Sequence, residues 1–181
     1  MNQNITEHSH RIYGNRTRIL AEIIVFVSLA TALSFVVVYV MPQGGSITAG
    51  SMVPLIWLAL RRGPKIGVSA GVLYGVIQFV ILPYAVNPIQ VLLDYPFAFG
   101  VLGLAGLFKR FPIVGASMAI SLRFVMHFVS GVVYWAPLYA PELNPYFYSA
   151  VYNGSYLLPE LVVSGIIIYA LQRSRVLNVY L

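Results

Sequence analysis

Six long apolar stretches, each with at most one charged residue, dominate this 181-residue chain and constrain its fold more than any other feature. They cover residues 19–40, 46–60, 66–82, 91–108, 113–135 and 147–171. Hydrophobic residues make up 59% of the chain and charged residues 9%, so a soluble fold would have a mostly apolar surface. Because backbone polar groups in lipid must find partners within the chain, each stretch is expected to be helical. The sequence predicts an all-α polytopic membrane protein with six transmembrane helices.

The stretches differ in length, which affects how each one is expected to cross the bilayer. The first, fifth and sixth reach the roughly 20 residues that span ~30 Å of hydrocarbon. Residues 46–60 are fewer and include Pro54, so this helix is expected to be tilted, partly re-entrant or shielded by its neighbours. The predicted organisation is a polar N-terminal tail at 1–18, a six-helix membrane domain at 19–172 and a C-terminal tail at 173–181.

Basic residues occur mainly at four places: before the first stretch, between the second and third, between the fourth and fifth, and after the sixth. In a six-helix topology these places all lie on one side of the membrane. The opposite loops, at 41–45, 83–90 and 136–146, contain no Lys or Arg. The positive-inside rule therefore places both termini, and with them both tails, in the cytoplasm. The expected location is the cell membrane, which the chain crosses several times. The net charge of +6 reflects this topology rather than a nucleic-acid footprint.

Small residues recur at helical spacing on two of the predicted helices. Gly67, Gly71 and Gly75 line one face of the third helix, and Ser28 and Ala32 form a shorter stripe on the first. Such stripes allow another helix to approach closely. They indicate packing within the chain or against a partner subunit.

Two opposite charges lie deep in the predicted membrane domain. Arg123 is about 18 Å inward from one end of the fifth helix, and Glu160 is about 20 Å inward from the corresponding end of the sixth. A lone charge at this depth is costly. We therefore predict a structural ion pair between Arg123 and Glu160.

A second set of polar groups is predicted in the outer half of the membrane, where Asp94, His127 and Asn153 lie at similar depth. His127, Gly131 and Trp135 share one helix face at i, i+4, i+8 spacing, and Gly131 leaves a notch between the imidazole and the indole. Tyrosines are frequent at this level, which an interfacial aromatic belt also explains. A carboxylate, an imidazole and an amide at the same depth favour a pocket for a flat, cationic, hydrogen-bonding ligand.

Several segments resemble the thiamine-specific substrate-binding (S) component of energy-coupling factor (ECF) vitamin transporters. The segments are MPQGGS at 41–46, LALRRGPKIGVSAGVLYG at 58–75, QVLLDY at 90–95, GLAGLF at 103–108, LRFVMHFVSGVVYW at 122–135 and YSAVYN at 148–153. This resemblance implies a thiamine site formed by Asp94, Tyr95, Tyr84, His127, Gly131, Trp135, Tyr148 and Asn153.

The same resemblance implies partners. The S components work with a transmembrane coupling subunit and two cytoplasmic ATPases, and they hydrolyse nothing themselves. The chain agrees, because it has no phosphate-binding loop of the G-x4-G-K-[ST] type. Ser28 and Ala32 are the candidate docking face for the coupling subunit. No cofactor is expected, with thiamine as the transported ligand, and the absence of cysteine excludes thiolate metal sites.

Three alternatives stay open at this point. An intramembrane enzyme could use His127 as a general base, although no zinc-binding H-E-x-x-H or nucleophile G-x-S-x-G motif is present. A purely structural or chaperone-like membrane protein is the second alternative. The third is a transporter subunit whose ligand is a thiamine precursor or another vitamin.

Overall fold

The structure, a computed structural model, describes residues 3–174, and it describes side chains for residues 15–174. Its elements are α1 (Gln3–Ser34), β1 (Val37–Val40), β2 (Ser46–Thr48), α2 (Val53–Arg62), α3 (Pro64–Ile81), α4 (Pro88–Phe108), α5 (Pro112–Tyr139) and α6 (Pro145–Arg173). Within this range, every helix except α2 is long and apolar enough to cross a membrane, which gives five candidate spans. The residues predicted as an N-terminal tail continue α1 without a break as far as Gln3.

The first apolar stretch was predicted to be helical up to residue 40, and this is wrong at its end. Helix α1 stops at Ser34, and β1 pairs antiparallel with β2, with Val37 opposite Thr48 and Val40 opposite Ser46. The run of β-branched valines before Tyr39 fits an extended strand better than a helix. The fold is therefore mostly helical rather than purely all-α, with a two-stranded hairpin after the first helix.

The second apolar stretch does not form a helix long enough to cross a membrane by itself. Its first residues form β2, and α2 begins only at Val53, with Pro54 in its first turn where no backbone N–H is needed. Gly63, at φ 94°, ends the helix after ten residues. A helix of that length spans about 15 Å, half of the hydrocarbon thickness. Seven of its ten residues are buried, so α2 is a core helix. It is shielded by its neighbours, which is one of the three possibilities predicted for this stretch.

The glycine stripe of α3 packs within the chain, which confirms one of the two uses left open above. A side chain at Gly67 would meet Ala59 of α2 and Gly103 of α4, and one at Gly71 would meet the backbone carbonyl of Phe99. Helices α2 and α4 therefore approach α3 at backbone distance. This contact fixes α4, which carries Asp94, against the centre of the fold.

Basic side chains from α1, from the last turn of α2 and from the segment after α4 gather at the end of the bundle opposite the hairpin. Glu22 of α1 lies 3.6 Å from Arg18, 3.2 Å from Arg61 and 2.6 Å from Arg62. The ammonium of Lys109 donates to the carbonyl oxygen of Arg61 at 3.3 Å. The hydrogen bond from Arg62 to Glu22 raises the pKa of this guanidinium above its ordinary value. The cluster agrees with the predicted grouping of positive charge on one side.

Candidate ligand-binding site

A cavity opens between α4, α5 and α6 at the end of the bundle that carries the hairpin. We call it the hairpin-end cavity; its lining comprises Gln43, Gly44, Gly45, Ser46, Gln78, Leu82, Tyr84, Gln90, Asp94, Tyr95, Phe99, Arg123, His127, Gly131, Trp135, Tyr148, Tyr152, Asn153 and Tyr156. All eight residues predicted for the ligand site are among them. The structure thus brings these eight residues together, while their role in binding stays a prediction.

Asp94 is the centre of the polar network in this cavity. Its Oδ2 accepts hydrogen bonds from the Nε2 of Gln90 at 2.7 Å, the Oγ of Ser130 at 2.8 Å and the Nε1 of Trp135 at 2.8 Å. Its Oδ1 lies 3.0 Å from the Nδ1 of His127. Three donors around a carboxylate that is only 11% exposed favour its ionised form, because each bond is stronger to a charged acceptor. The cavity therefore presents a fixed negative charge.

Two local departures from α-helical geometry position these groups. Residues Leu93–Phe97 of α4 and Gly131–Trp135 of α5 each form a π-helical turn. Pro96 lies within the first turn and Pro137 just after the second, and each removes one helical N–H. A π turn widens the helix by one residue and so changes the direction of its side chains. The site carboxylate and the site indole both lie on such turns.

Tyrosines of α6 form one wall of the cavity. Tyr148, Tyr152 and Tyr156 follow one another at four-residue spacing, and the rings of Tyr148 and Tyr152 are stacked with centroids 5.9 Å apart. The hydroxyl of Tyr152 accepts from the backbone N–H groups of Gln43 and Gly45, both at 3.2 Å, and so attaches the hairpin loop to α6. The buried hydroxyl of Tyr148 makes no hydrogen bond within the described range.

Gly131 and Asn153 are used mainly for packing between α5 and α6. The notch predicted at Gly131 is not open, because a side chain there would meet the Ser149 hydroxyl and the Asn153 amide. The Nδ2 of Asn153 donates to the carbonyl oxygen of Ser149 at 2.9 Å, and its Oδ1 accepts from the Tyr156 hydroxyl at 3.0 Å. The two helices therefore meet closely beside His127, and this contact sets the depth of the cavity.

The loop before α4 closes the cavity from the side and is held by two residues of that helix. The hydroxyl of Tyr95 accepts from the N–H of Tyr84 at 2.9 Å and donates to the carbonyl oxygen of Leu82 at 2.5 Å. Gln90, fully buried, donates to the carbonyl oxygen of Tyr84 and accepts from the N–H of Val86. The ring of Tyr84 lies over Gly44 of the hairpin loop. The two loops thus meet above Asp94.

Four residues of the site were not predicted from the sequence: three line the cavity, and Ser130 donates to Asp94 without lining it. Gln90 precedes Asp94 by four residues, Ser130 follows His127 by three, and Tyr152 and Tyr156 continue the spacing of Tyr148. Each spacing places the missed residue on the same helix face as a predicted one, so helical periodicity could have found them. Arg123 was predicted only as a structural charge, whereas it also lines the cavity.

The predicted ion pair between Arg123 and Glu160 is wrong. The salt bridges among the described side chains involve Glu22 and Asp94, and neither of the two deep charges takes part. The Oε1 of Glu160 instead accepts from the backbone N–H of Thr48 at 2.5 Å and from its hydroxyl at 2.6 Å. The depth estimate assumed that residue 48 is helical, whereas it lies in β2. It therefore could not predict the bond between Thr48 and Glu160.

The bond between Thr48 and Glu160 predicts a measurable coupling in stability. In a double-mutant cycle of Thr48→Val and Glu160→Gln, we expect a coupling of about 1.5–3 kcal/mol, the range for a hydrogen bond to a charged group. The matched cycle of Arg123→Met and Glu160→Gln should show less than about 0.5 kcal/mol. Unfolding of the four proteins of each cycle in detergent measures both values. A larger coupling for the arginine cycle would restore the ion pair.

The candidate docking face lies away from the cavity. Ser28 and Ala32 are exposed on α1, and the neighbouring Leu29 and Val25 are 46% and 61% exposed. None of these residues lines the hairpin-end cavity. The face is open within the described part of the chain; its use by a partner stays a prediction.

The fold and the cavity define a class: a multi-pass membrane protein that encloses a polar, aromatic small-molecule pocket among its helices. Residues 20–178 match the family model described as thiamine transporter protein. The chain therefore belongs to the thiamine transporter family, as the sequence resemblance predicted.

Individual relatives agree with this assignment. The thiamine transporter ThiT of Bacillus subtilis (strain 168) is 33% identical over 169 residues, which cover 82% of this chain and 87% of that protein. ThiT of Lacticaseibacillus paracasei is 26% identical over 175 residues, covering 83% of this chain and 84% of that protein. A solved structure of ThiT from Listeria monocytogenes superimposes with a TM-score of 0.79 at 27% identity, over 88% of this chain and 96% of that one.

Proposed function

We propose that this chain is the thiamine-binding S component of an ECF-type vitamin importer and that it captures thiamine from the outer side of the cell membrane. The observation that carries the proposal is the carboxyl group of Asp94, which accepts from three donors and lies beside His127 at the wall of an aromatic cavity. A transmembrane coupling subunit and two cytoplasmic ATPases would supply the energy. The chain itself would bind its ligand and catalyse nothing.

Thiamine fits the chemistry of the hairpin-end cavity. It joins a permanently cationic thiazolium ring to a flat aminopyrimidine ring. Asp94 offers the cation a countercharge or the amine an acceptor, and the rings of Trp135 and Tyr148 offer stacking surfaces. We assign thiamine contact to Asp94, Tyr95, Tyr84, His127, Gly131, Trp135, Tyr148 and Asn153.

In this proposal the hairpin end faces outward and both termini lie in the cytoplasm. The basic cluster around Glu22 and Lys109 lies at the other end of the bundle and would face the cytoplasm, as the positive-inside rule requires. Residues 1–18 and 173–181 would then be cytoplasmic segments on either side of the membrane domain at 19–172. Arg175 and the residues after it lie outside the described residues.

Thiamine is expected to change the intrinsic fluorescence of the protein through Trp135. The only other tryptophan, Trp57, packs against Phe26 with ring centroids 5.8 Å apart and does not line the cavity. Trp135→Phe should therefore remove most of the thiamine-dependent signal, while the matched Trp57→Phe protein should keep it. Fluorescence titration of both variants measures the difference. A signal that persists in Trp135→Phe would move the ligand away from α5.

Equilibrium binding of a vitamin panel to purified, ligand-free protein tests the ligand assignment. Thiamine should bind most tightly. A precursor that lacks the thiazolium ring should bind less tightly, because it has no permanent charge to pair with Asp94. Tighter binding of the precursor or of an unrelated vitamin would replace thiamine as the ligand while leaving the transporter class intact.

A further inference from the structure

Arg123 is a permanently charged side chain that the proposed binding contacts do not use. Its Nε–H points to the Nε2 of His127 at 3.3 Å, one of its terminal nitrogens lies 2.8 Å from the sulfur of Met52, and its guanidinium carbon lies 4.2 Å from the centre of the Phe99 ring. Within the described residues it forms no salt bridge with a carboxylate. A guanidinium held in this way, one helical turn before His127, acts most directly on the imidazole.

The contact with Arg123 determines which nitrogen of His127 carries the proton. A guanidinium is a donor at every nitrogen and does not lose its proton in proteins, so the Nε2 that faces it must offer a lone pair. The single proton of the neutral imidazole then lies on Nδ1. Nδ1 faces the Oδ1 of Asp94 at 3.0 Å. The hydrogen bonds therefore run in one direction, from Arg123 through His127 to Asp94.

We propose that Arg123 is a positioning residue of the ligand site, which keeps the Nε2 of His127 unprotonated and so holds the ring as the neutral Nδ1–H donor to Asp94. The ligand to which this applies rests on the proposed function; the tautomer does not. Without the guanidinium, Nε2 could take a second proton, and the resulting imidazolium would occupy Asp94 as a countercharge in place of a cationic ligand. Arg123 would thus influence binding without touching the ligand itself.

The other groups around His127 do not replace this role. The ring edge of Tyr156 on α6 lies against the imidazole at a centroid distance of 6.1 Å, and its hydroxyl donates to Asn153. Glu160, also on α6, borders a cavity that Arg123 shares, but its Oε1 is occupied by Thr48. The charges that act on His127 are therefore Asp94 on one side and Arg123 on the other, with the neutral ring between them.

Nitrogen NMR of labelled histidine tests the tautomer directly. The chain has three histidines, so replacing His8 and His10 by Asn leaves His127 as the single imidazole. In detergent-solubilised protein without ligand, we expect the spectrum of an Nδ1–H imidazole. Arg123→Met leaves Nε2 free to take a second proton while Nδ1–H still faces Asp94, so the spectrum of an imidazolium should appear. Arg123→Lys, which can still donate to Nε2, should retain the original spectrum. An Nε2–H imidazole in the parent protein would overturn the inference even if Arg123→Met does not fold.

Thiamine affinity gives the second measurement. Arg123→Met should bind roughly tenfold more weakly, because an imidazolium at His127 would compete with the ligand for the Asp94 carboxylate, and Arg123→Lys should recover most of that loss. Equal losses in both variants, with an unchanged tautomer, would assign Arg123 a purely structural role and overturn the inference. If the parent protein binds no thiamine, the proposed function fails, and the NMR result alone decides the role of Arg123.

Discussion

Replacing Asp94 by Asn is expected to weaken thiamine binding by on the order of 2–3 kcal/mol, or roughly 30- to 150-fold. The change removes the negative charge at the centre of the hairpin-end cavity. It also places an amide where one carboxylate oxygen now accepts from Gln90, Ser130 and Trp135, or where the other faces His127. Either orientation of the amide points N–H groups at existing donors. Isothermal titration or fluorescence titration of purified protein measures the loss.

Three further variants separate the effect of the Asp94 charge from the effect of the local geometry. Asp94→Glu keeps the charge on a longer side chain and should retain more affinity than Asp94→Asn. Tyr95→Phe should also cost less, because it removes only the hydroxyl that holds the loop at Leu82 and Tyr84. Glu142→Gln is the matched control, since Glu142 is an exposed carboxylate outside the cavity and its loss should not change the affinity. An Asp94→Asn protein with the parent affinity would refute the assignment of Asp94.

Ala32→Leu is expected to abolish thiamine uptake in cells while leaving the affinity of the isolated protein unchanged. Ala32 is exposed on α1 and lies outside the hairpin-end cavity, so a larger side chain there does not reach the ligand site. If the coupling subunit packs against the stripe of Ser28 and Ala32, a leucine would hold the two helices apart. Uptake of labelled thiamine and equilibrium binding, both measured on the same variant, test the two halves of the prediction.

Ala170→Leu provides the control for this experiment. It introduces the same change at an exposed alanine of α6, and we expect both uptake and binding to be retained. Loss of uptake in both variants would indicate a general effect on insertion rather than docking at α1. Loss of binding together with uptake in Ala32→Leu would connect α1 to the ligand site. Robust uptake into liposomes by the chain alone, without partners or ATP, would contradict the need for a coupling module.

The sequence was sufficient for the features that depend on local order along the chain. The length of the apolar stretches located every described helix that can cross a membrane. The backbone N–H and C=O groups of a helix in lipid bond to each other within that helix, so this property depends only on the segment itself. Helical periodicity placed His127 and Trp135 on one wall of a cavity, because side chains four and eight residues apart lie above one another on a helix. The glycine stripe of α3 indicated a close helix contact for the same reason.

The tertiary structure decided everything that depends on contacts between distant segments. The hairpin exists because β1 and β2 pair with each other and because Thr48 reaches Glu160, 112 residues further along the chain. Arg123 faces His127 rather than Glu160, although depth along the helices placed both charges at one level. Asp94 acquires donors from Ser130 and Trp135, 36 and 41 residues away, only after π turns redirect its helix and the helix opposite. Helix rotation and loop pairing set these contacts, and they follow from packing of the whole bundle rather than from any single segment.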